Sequence, residues 1–116
     1  MAGNDSSTDL STARAVRQRR DEVQILDVRE DWEWDAGHIE GSTHIPLNEL
    51  LAGRMEDLDH ARPVVAVCKT GNRSEVAALM LRARGFEAHN LEGGVEDWEG
   101  EGFPLVTDGG DAGRVA

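Results

Sequence analysis

Residues 63–74, PVVAVCKTGNRS, decide the fold. The stretch opens with an apolar run, residues 63–67, that is typical of a strand buried on both faces. A short loop follows, and from Ser74 the sequence SEVAALMLRAR predicts a helix that ends before Gly85, a residue suited to a helix C-terminus. A buried strand that leads directly into a helix is the repeating unit of parallel α/β proteins.

The same alternation extends to both sides of this stretch. Residues 23–28 (VQILDV) predict another buried strand, and residues 87–91 a third. Helices are predicted over residues 10–20, 30–36 and 47–58, with a final helical turn over 95–99. In the 47–58 helix the apolar side chains expected to face inward are Leu47, Leu50, Leu51, Met55 and Leu58. Strands separated by helical segments predict an α/β fold, a compact parallel sheet with helices on both faces.

One domain fits a chain of 116 residues. Residues 1–8 are small and polar and are expected to form a disordered N-terminal tail. Residues 107–116 are rich in Gly and Asp and are expected to form a flexible C-terminal tail. The domain then covers residues 9–106, and no feature marks an interface, so a monomer is expected.

Charge and cysteine content narrow the functional classes. The chain has 12 Lys and Arg against 23 Asp and Glu, a formal charge of −11, which argues against nucleic-acid and anionic-membrane partners. It has a single cysteine, so no internal disulfide can form, and a reducing compartment such as the cytoplasm is expected. The N-terminus does not resemble a signal peptide, and no apolar run is long enough to cross a bilayer.

That cysteine, Cys68, follows the 63–67 strand and therefore lies where open α/β sheets bind ligands. Gly71 and Asn72 tolerate left-handed backbone, so the loop can direct several N–H groups inward. The following helix contributes its positive end, and Lys69 and Arg73 add two charges. Each feature favours a thiolate. A lone cysteine is more often an inert core residue, but this combination predicts a nucleophile.

Four segments in order resemble the rhodanese sulfurtransferase family. They are LDVRE (26–30), GHIEGSTHIP (37–46), CKTGNRS (68–74) and LEGGVEDW (91–98), and the resemblance runs from about residue 23 to 106. It implies a rhodanese-like parallel α/β domain whose catalytic cysteine is Cys68. This cysteine would take sulfur from a small anionic donor such as thiosulfate, forming a persulfide. A thiophilic acceptor, cyanide in vitro and a thiol or protein in the cell, would then remove the sulfur.

The resemblance also implies roles for the loop. Lys69 and Arg73 would hold the donor and the leaving sulfite, and the backbone N–H groups from Lys69 through Thr70, Gly71 and Asn72 to Arg73 would surround the sulfur. No metal and no organic cofactor is implied.

A supporting layer is expected around the loop. Asp27 and Arg29 end the first predicted strand on the same side of the sheet as Cys68, Glu30 follows them, and Ser74 opens the helix that follows the loop. We expect a carboxylate from Asp27 or Glu30 to pair with a loop cation. The alternative is an ordinary turn with surface charges.

Other polar and aromatic residues are assigned structural parts. His38 is expected to bond nearby backbone, and together with His44 and Cys68 it lacks the spacing of a zinc site. Trp98 should pack beside the Gly93-Gly94 turn, and the other two tryptophans should be core or rim residues.

Two other functions compete with sulfur transfer. Tyrosine and dual-specificity phosphatases place five residues between cysteine and arginine, whereas four separate Cys68 from Arg73, which should fit one sulfur atom but not a phosphoryl group. A phosphatase would also need a general acid, and none is evident. A non-enzymatic binding or sulfur-relay module is the other alternative. Such modules often lose the cysteine or the loop cations, and this chain keeps both.

Overall fold

A computed structural model describes residues 9–116, so the predicted N-terminal tail lies outside the described residues. Four strands form one sheet in which all neighbours are parallel. The spatial order is β2-β1-β3-β4. The strands are β1 (Gln24–Asp27), β2 (Thr43–His44), β3 (Val64–Val67) and β4 (Ala88–Asn90). The three predicted strands are confirmed, and the fourth, β2, was too short to predict from sequence.

In the part of the chain that the structure describes, five α-helices connect or flank these strands. They are α1 (Ala13–Gln18), α2 (Asp31–Ala36), α3 (Leu47–Leu51), α4 (Asn72–Ala83) and α5 (Gly94–Gly100), with a 3₁₀ turn at Arg20–Glu22. Gly85 follows α4 with φ +91°, the left-handed geometry expected after a helix end. Within residues 9–116, none of the helices combines the length and the apolar character needed to cross a membrane.

The sheet is covered on both faces, as predicted. Because alternate strand residues point in opposite directions, β1 and β3 each contribute to two apolar clusters. One apolar cluster joins Leu26, Val64, Ala66 and Cys68 to side chains of α3 and α4. The other joins residues of opposite parity on β1 and β3 to α1 and α5; its members include Ile25, Val65, Val67, Val16 and Trp98. The α/β class and the two-sided arrangement follow directly from this division of the core.

The third helix is shorter than its apolar pattern predicts. It ends at Leu51 rather than at residue 58, and Gly53 follows with φ +107°, a left-handed conformation that stops a helix. Leu51, predicted to face inward, is 48% exposed, so that part of the prediction is wrong. Leu58 is nevertheless buried, because the chain after the helix carries it back to the core. The predicted burial of Leu58 is therefore confirmed, although the predicted helix does not extend to it.

The C-terminal segment makes backbone contacts that the sequence did not predict. Val106 bridges to His38 and Ala112. The Arg114 N–H donates to the Ala36 carbonyl at 2.9 Å, at the C-terminal end of α2. A flexible tail over residues 107–116 stays a prediction, but the structure gives this part of the chain backbone partners at Ala36 and His38.

Candidate active site

Cys68 is the residue after β3, at the carboxyl edge of the sheet. In the pairing of β1 with β3, Asp27 lies opposite Val67, so the ends of both strands meet beside the cysteine. Cys68 is 1% exposed and belongs to the core face shared with α3 and α4. Residues 68–73, which we call the Cys68 loop, connect this cysteine to α4.

Hydrogen-bond donors surround the Cys68 sulfur. Sγ accepts from the Gly71 N–H at 3.1 Å and from the Ser74 N–H at 3.4 Å, and the Ser74 hydroxyl oxygen lies 3.3 Å away. Burial raises the pKa of the Cys68 thiol, but the bonds from Ser74, Gly71 and Thr70 together lower it by more, so the pKa falls below its ordinary value of 9.0. The loop therefore favours the reactive thiolate.

Gly71 is the residue that lets the loop turn inward. Its φ of +106° is in the left-handed region, whereas Asn72 already begins α4. The side chains of Thr70 and Asn72 are exposed, so these residues shape the site through backbone rather than through side-chain contacts. The sequence predicts that the N–H groups of residues 69–73 surround the sulfur. In the structure the N–H groups of Gly71 and Ser74 bond it, and Ser74 lies outside that range.

The start of α5 holds the outer side of the loop. The Val95 N–H donates to the Cys68 carbonyl at 2.9 Å, and the Glu96 N–H donates to the Lys69 carbonyl at 3.2 Å. Gly94 has φ +61°, and a side chain there would overlap both carbonyl oxygens. The glycines at 93 and 94 therefore let the start of α5 approach closely enough to bond the carbonyls of Cys68 and Lys69.

Arg73 is held by a carboxylate that sequence reasoning missed. Its two terminal nitrogens donate to Glu33 Oε1 at 2.7 Å and Oε2 at 2.9 Å. Glu33 Oε1 also accepts from the Glu30 N–H at 3.0 Å, closing the first turn of α2. The Arg73 bonds lower the pKa of Glu33 to about 2 against an opposing burial effect. The spacing of Glu30 and Glu33 is that of a capping box and could have pointed to a buried, oriented carboxylate.

The other loop cation, Lys69, is more loosely placed. Its Nζ lies 4.0 Å from Glu96 Oε2, and its side chain is 42% exposed. Lys69 is therefore the less constrained of the two loop cations, because Arg73 makes two hydrogen bonds to Glu33.

The supporting pair predicted at the end of β1 is present but pairs with itself. Arg29 is fully buried and donates to both oxygens of Asp27, with the shortest bond at 2.7 Å, and to the Gly37 carbonyl at 2.8 Å. Neither Asp27 nor Glu30 bonds a loop cation, so that prediction is wrong. For Asp27 the reason is local, because Arg29, two residues further along the chain, donates to both of its carboxylate oxygens.

The histidines take structural positions beside α2. His38 Nδ1 lies 2.9 Å from the Trp34 carbonyl, and His44 Nε2 lies 2.8 Å from the Arg29 carbonyl. The Trp34 ring stacks on both imidazoles, with centroids 3.5 and 4.7 Å away, while Trp32 is 65% exposed. Across residues 9–116, no group of three or more His, Cys, Asp or Glu side chains is placed to hold a metal ion.

Comparison with known sequences gives the family of this chain. The sequence model of the family described as "Rhodanese-like domain" matches residues 12–101. Thiosulfate sulfurtransferase GlpE of Pseudomonas aeruginosa (strain LESB58) is 33% identical over 110 residues, which cover 94% of this chain and 98% of that protein. The protein YrkF of Bacillus subtilis (strain 168) is 36% identical, but the match spans only 55% of its length.

The fold is also similar to that of solved structures. The crystal structure of a rhodanese-related protein from Thermoplasma volcanium superposes with a TM-score of 0.79 and 32% identity, covering 84% of this chain and 96% of that one. The chain belongs to the rhodanese-like domain family.

Proposed function

We propose that this protein is a sulfurtransferase that moves a sulfane sulfur from a donor such as thiosulfate to a thiophilic acceptor through a persulfide on Cys68. The observation that carries the proposal is the set of donors around one buried sulfur, with the thiol pKa lowered although the residue is 1% exposed. Support also comes from a relative named thiosulfate sulfurtransferase, which aligns over nearly its whole length.

The first half-reaction loads the cysteine. The Cys68 thiolate attacks the outer sulfur of thiosulfate, forming a new S–S bond. The bond between the two thiosulfate sulfurs breaks, and its electron pair leaves with sulfite. The product is a Cys68 persulfide anion, so one thiolate and one dianion become one persulfide anion and one dianion. No proton, metal or external oxidant is needed.

The second half-reaction unloads the cysteine. A nucleophilic acceptor, such as cyanide or a thiolate, attacks the outer persulfide sulfur. The S–S bond breaks, its electron pair returns to Sγ, and the thiolate is regenerated. With cyanide the product is thiocyanate; with a thiol or protein acceptor it is a new persulfide. In both states the loop N–H groups would face a sulfur anion.

The two loop cations would act differently in donor binding. Lys69 is half-exposed and 4.0 Å from its nearest carboxylate partner, so it would supply the mobile positive charge for the donor and the leaving sulfite. Arg73 is bound to Glu33 through both terminal nitrogens, so it would mainly fix the loop and give only part of its charge to the anion. Monomeric state and a cytoplasmic location belong to this proposal as well.

Steady-state kinetics test the proposal. With thiosulfate and cyanide varied together, double-reciprocal plots should be parallel, because sulfite leaves before cyanide binds. Cys68→Ala should abolish thiocyanate formation. Intersecting lines would contradict a free persulfide intermediate. Hydrolysis of an aryl phosphate without any thiocyanate formation would favour the phosphatase alternative, and absence of both activities would favour a binding module.

A further inference from the structure

The Ser74 hydroxyl lies between two acceptors and has one proton to give. Its oxygen is 3.3 Å from Cys68 Sγ and 2.5 Å from Asn90 Oδ1. Ser74 is fully buried, so water does not supply an alternative partner to this group. The two contacts therefore cannot both be donated by the hydroxyl at the same time.

The orientation of the Asn90 amide determines whether Asn90 can accept the hydroxyl proton of Ser74. Asn90 Nδ2 donates to the Gly71 carbonyl at 3.0 Å. A carbonyl can only accept, so the amide nitrogen must face Gly71 and the amide oxygen must face Ser74. A flipped amide would set two oxygens against each other across that 3.0 Å gap. Asn90 therefore presents a fixed acceptor to the Ser74 hydroxyl.

We propose that Asn90 is a positioning residue that holds the hydroxyl proton of Ser74 while Cys68 is a thiol and yields it to the sulfur when Cys68 ionises. In the thiol state the S–H group donates to Ser74 Oγ, whose own proton is donated to Asn90 Oδ1. When the thiol proton leaves to solvent, the Ser74 O–H rotates from Asn90 Oδ1 to Sγ. No other proton moves, and Asn90 Oδ1 loses its donor.

The consequence is a competition that limits how strongly Ser74 favours the thiolate. Rotating the hydroxyl toward sulfur gains a charge-assisted bond but leaves a buried amide oxygen without a donor. The Ser74 hydroxyl, one of the groups that lower the pKa of Cys68, would then contribute less while Asn90 is present than once Asn90 is removed. After sulfur loading the charge moves to the outer sulfur, and the hydroxyl proton can return to Asn90. This consequence for sulfur transfer rests on the proposed function, but the proton competition itself does not.

Other titratable groups nearby need to be separated from this effect. Asn90 lines a cavity behind the loop together with Glu75, Arg82, His89 and Glu92. On the side of the sulfur, the charged groups are the Arg73–Glu33 pair and the Lys69–Glu96 pair. His89, whose ring contacts Glu87, is the histidine of this set. A His89→Gln control removes the imidazole without touching Ser74 or the loop.

A double-mutant cycle on the complete chain tests the proposal. The variants are Asn90→Leu, Ser74→Ala and their combination, each built in wild-type and in His89→Gln protein. The readout is the rate of Cys68 alkylation by iodoacetamide from about pH 5.5 to 9.5, which reports the thiolate fraction and needs no sulfur donor. Below the thiol pKa, Asn90→Leu should raise the rate about two- to fivefold, because the Ser74 proton is then free for sulfur.

The coupling between the two positions separates positioning from loop support. Ser74→Ala should change the rate less than about twofold in wild-type protein but lower it several-fold in the Asn90→Leu background. If Asn90 only braces Gly71, Asn90→Leu lowers the alkylation rate, and Ser74→Ala has the same effect in both backgrounds; either result overturns the proposal. Should Asn90→Leu fail to fold, Asn90→Ala replaces it. A fall of about tenfold in the alkylation rate for Ser74→Ala in wild-type protein would by itself overturn the proposal.

Failure here and failure of the proposed function look different. A protein that alkylates as predicted but forms no persulfide contradicts sulfur transfer and leaves the proton competition standing. A protein that forms the persulfide but shows no coupling between Asn90 and Ser74 contradicts only the role given to Asn90.

Discussion

Glu33 of α2 and Arg73 of the Cys68 loop are joined by two parallel bonds of 2.7 and 2.9 Å. The carboxylate side chain is 6% exposed and the guanidinium 36%, so the pair is anchored on the buried side and open on the loop side. This geometry ties the helix that follows β1 to the loop that follows β3. It also offsets one of the two positive charges beside the sulfur, which affects both stability and donor binding.

The Glu33–Arg73 pair should make stability depend on pH in the acid range. The pKa of Glu33 is about 2 in the folded chain against an ordinary value of 4.5, so its contribution is fully present above about pH 4.5 and is lost as pH falls toward 2. Glu33→Gln should cost on the order of 2 kcal/mol of unfolding free energy at pH 7 and should flatten the pH dependence between about pH 5 and 3. Urea denaturation at several pH values measures both.

Glu87→Gln provides the control for that experiment. Glu87 is an exposed carboxylate whose pairing partner is His89, so its removal should leave the slope between pH 5 and 3 close to wild type. An equal slope for wild type and Glu33→Gln would show that the pair does not contribute to stability.

Lys69 should affect donor binding more than turnover. Replacing it with Gln removes the mobile cation, so KM for thiosulfate should rise about three- to tenfold while kcat falls less. Glu96→Gln, which removes the carboxylate 4.0 Å from Lys69, should shift KM in the opposite direction. A KM unchanged by both substitutions would remove Lys69 from donor binding.

The net charge of −11 should give the donor reaction an unusual salt response. The overall field slows the encounter with a dianion, and Arg73 is already offset by Glu33. We therefore expect added salt to leave kcat/KM for thiosulfate level or to raise it modestly. A steep fall with ionic strength would mean that the loop cations dominate the encounter.

The buried Asp27–Arg29 pair should be costly to break. Both side chains are essentially without solvent contact, so Arg29→Met leaves a buried carboxylate unpaired and should cost about 3–5 kcal/mol. Arg29→Met combined with Asp27→Leu should recover part of that loss, because no unpaired charge remains. The exposed pair Arg14–Glu101 is the matched comparison, and Arg14→Met should have no measurable effect. Additive losses in the double variant would contradict this account.

Gly94 should tolerate no side chain. Gly94→Ala forces a Cβ onto the carbonyl oxygens of Cys68 and Lys69 at a left-handed φ, and should cost roughly 2–4 kcal/mol while also displacing the loop. Gly100→Ala, at the other end of α5, meets no atom within 4 Å and should be neutral or slightly stabilising. Thermal unfolding of the two variants compares them; similar losses for both would show that contact with the loop is not what requires Gly94.

The sequence predicted what depends on local pattern. Apolar runs placed β1, β3 and β4, and the position of Cys68 between a buried strand and a helix placed the candidate site. Residues such as Gly71 and Gly85 were readable because a left-handed backbone strongly favours glycine. These features need no knowledge of distant contacts.

The sequence did not predict what depends on long-range contacts. Glu33 and Arg73 are 40 positions apart, and Ser74 and Asn90 are 16 apart, so only the folded sheet shows which side chains meet. The early end of α3 is different: Gly53 was visible, but the apolar spacing of Leu47, Leu50, Leu51 and Leu58 outweighed it in the prediction. The partner of Asp27 was wrongly predicted because Arg29, only two residues away, pairs with it in place of a loop cation.

Intact mass spectrometry can show directly whether Cys68 carries sulfur. The protein is incubated with thiosulfate, desalted without reductant and weighed, alongside Cys68→Ala and a sample treated afterwards with cyanide. We expect a gain of one sulfur atom in the wild-type protein, its loss with cyanide, and no gain in Cys68→Ala. No gain with thiosulfate or with any other sulfane donor, or an equal gain in Cys68→Ala, would contradict it.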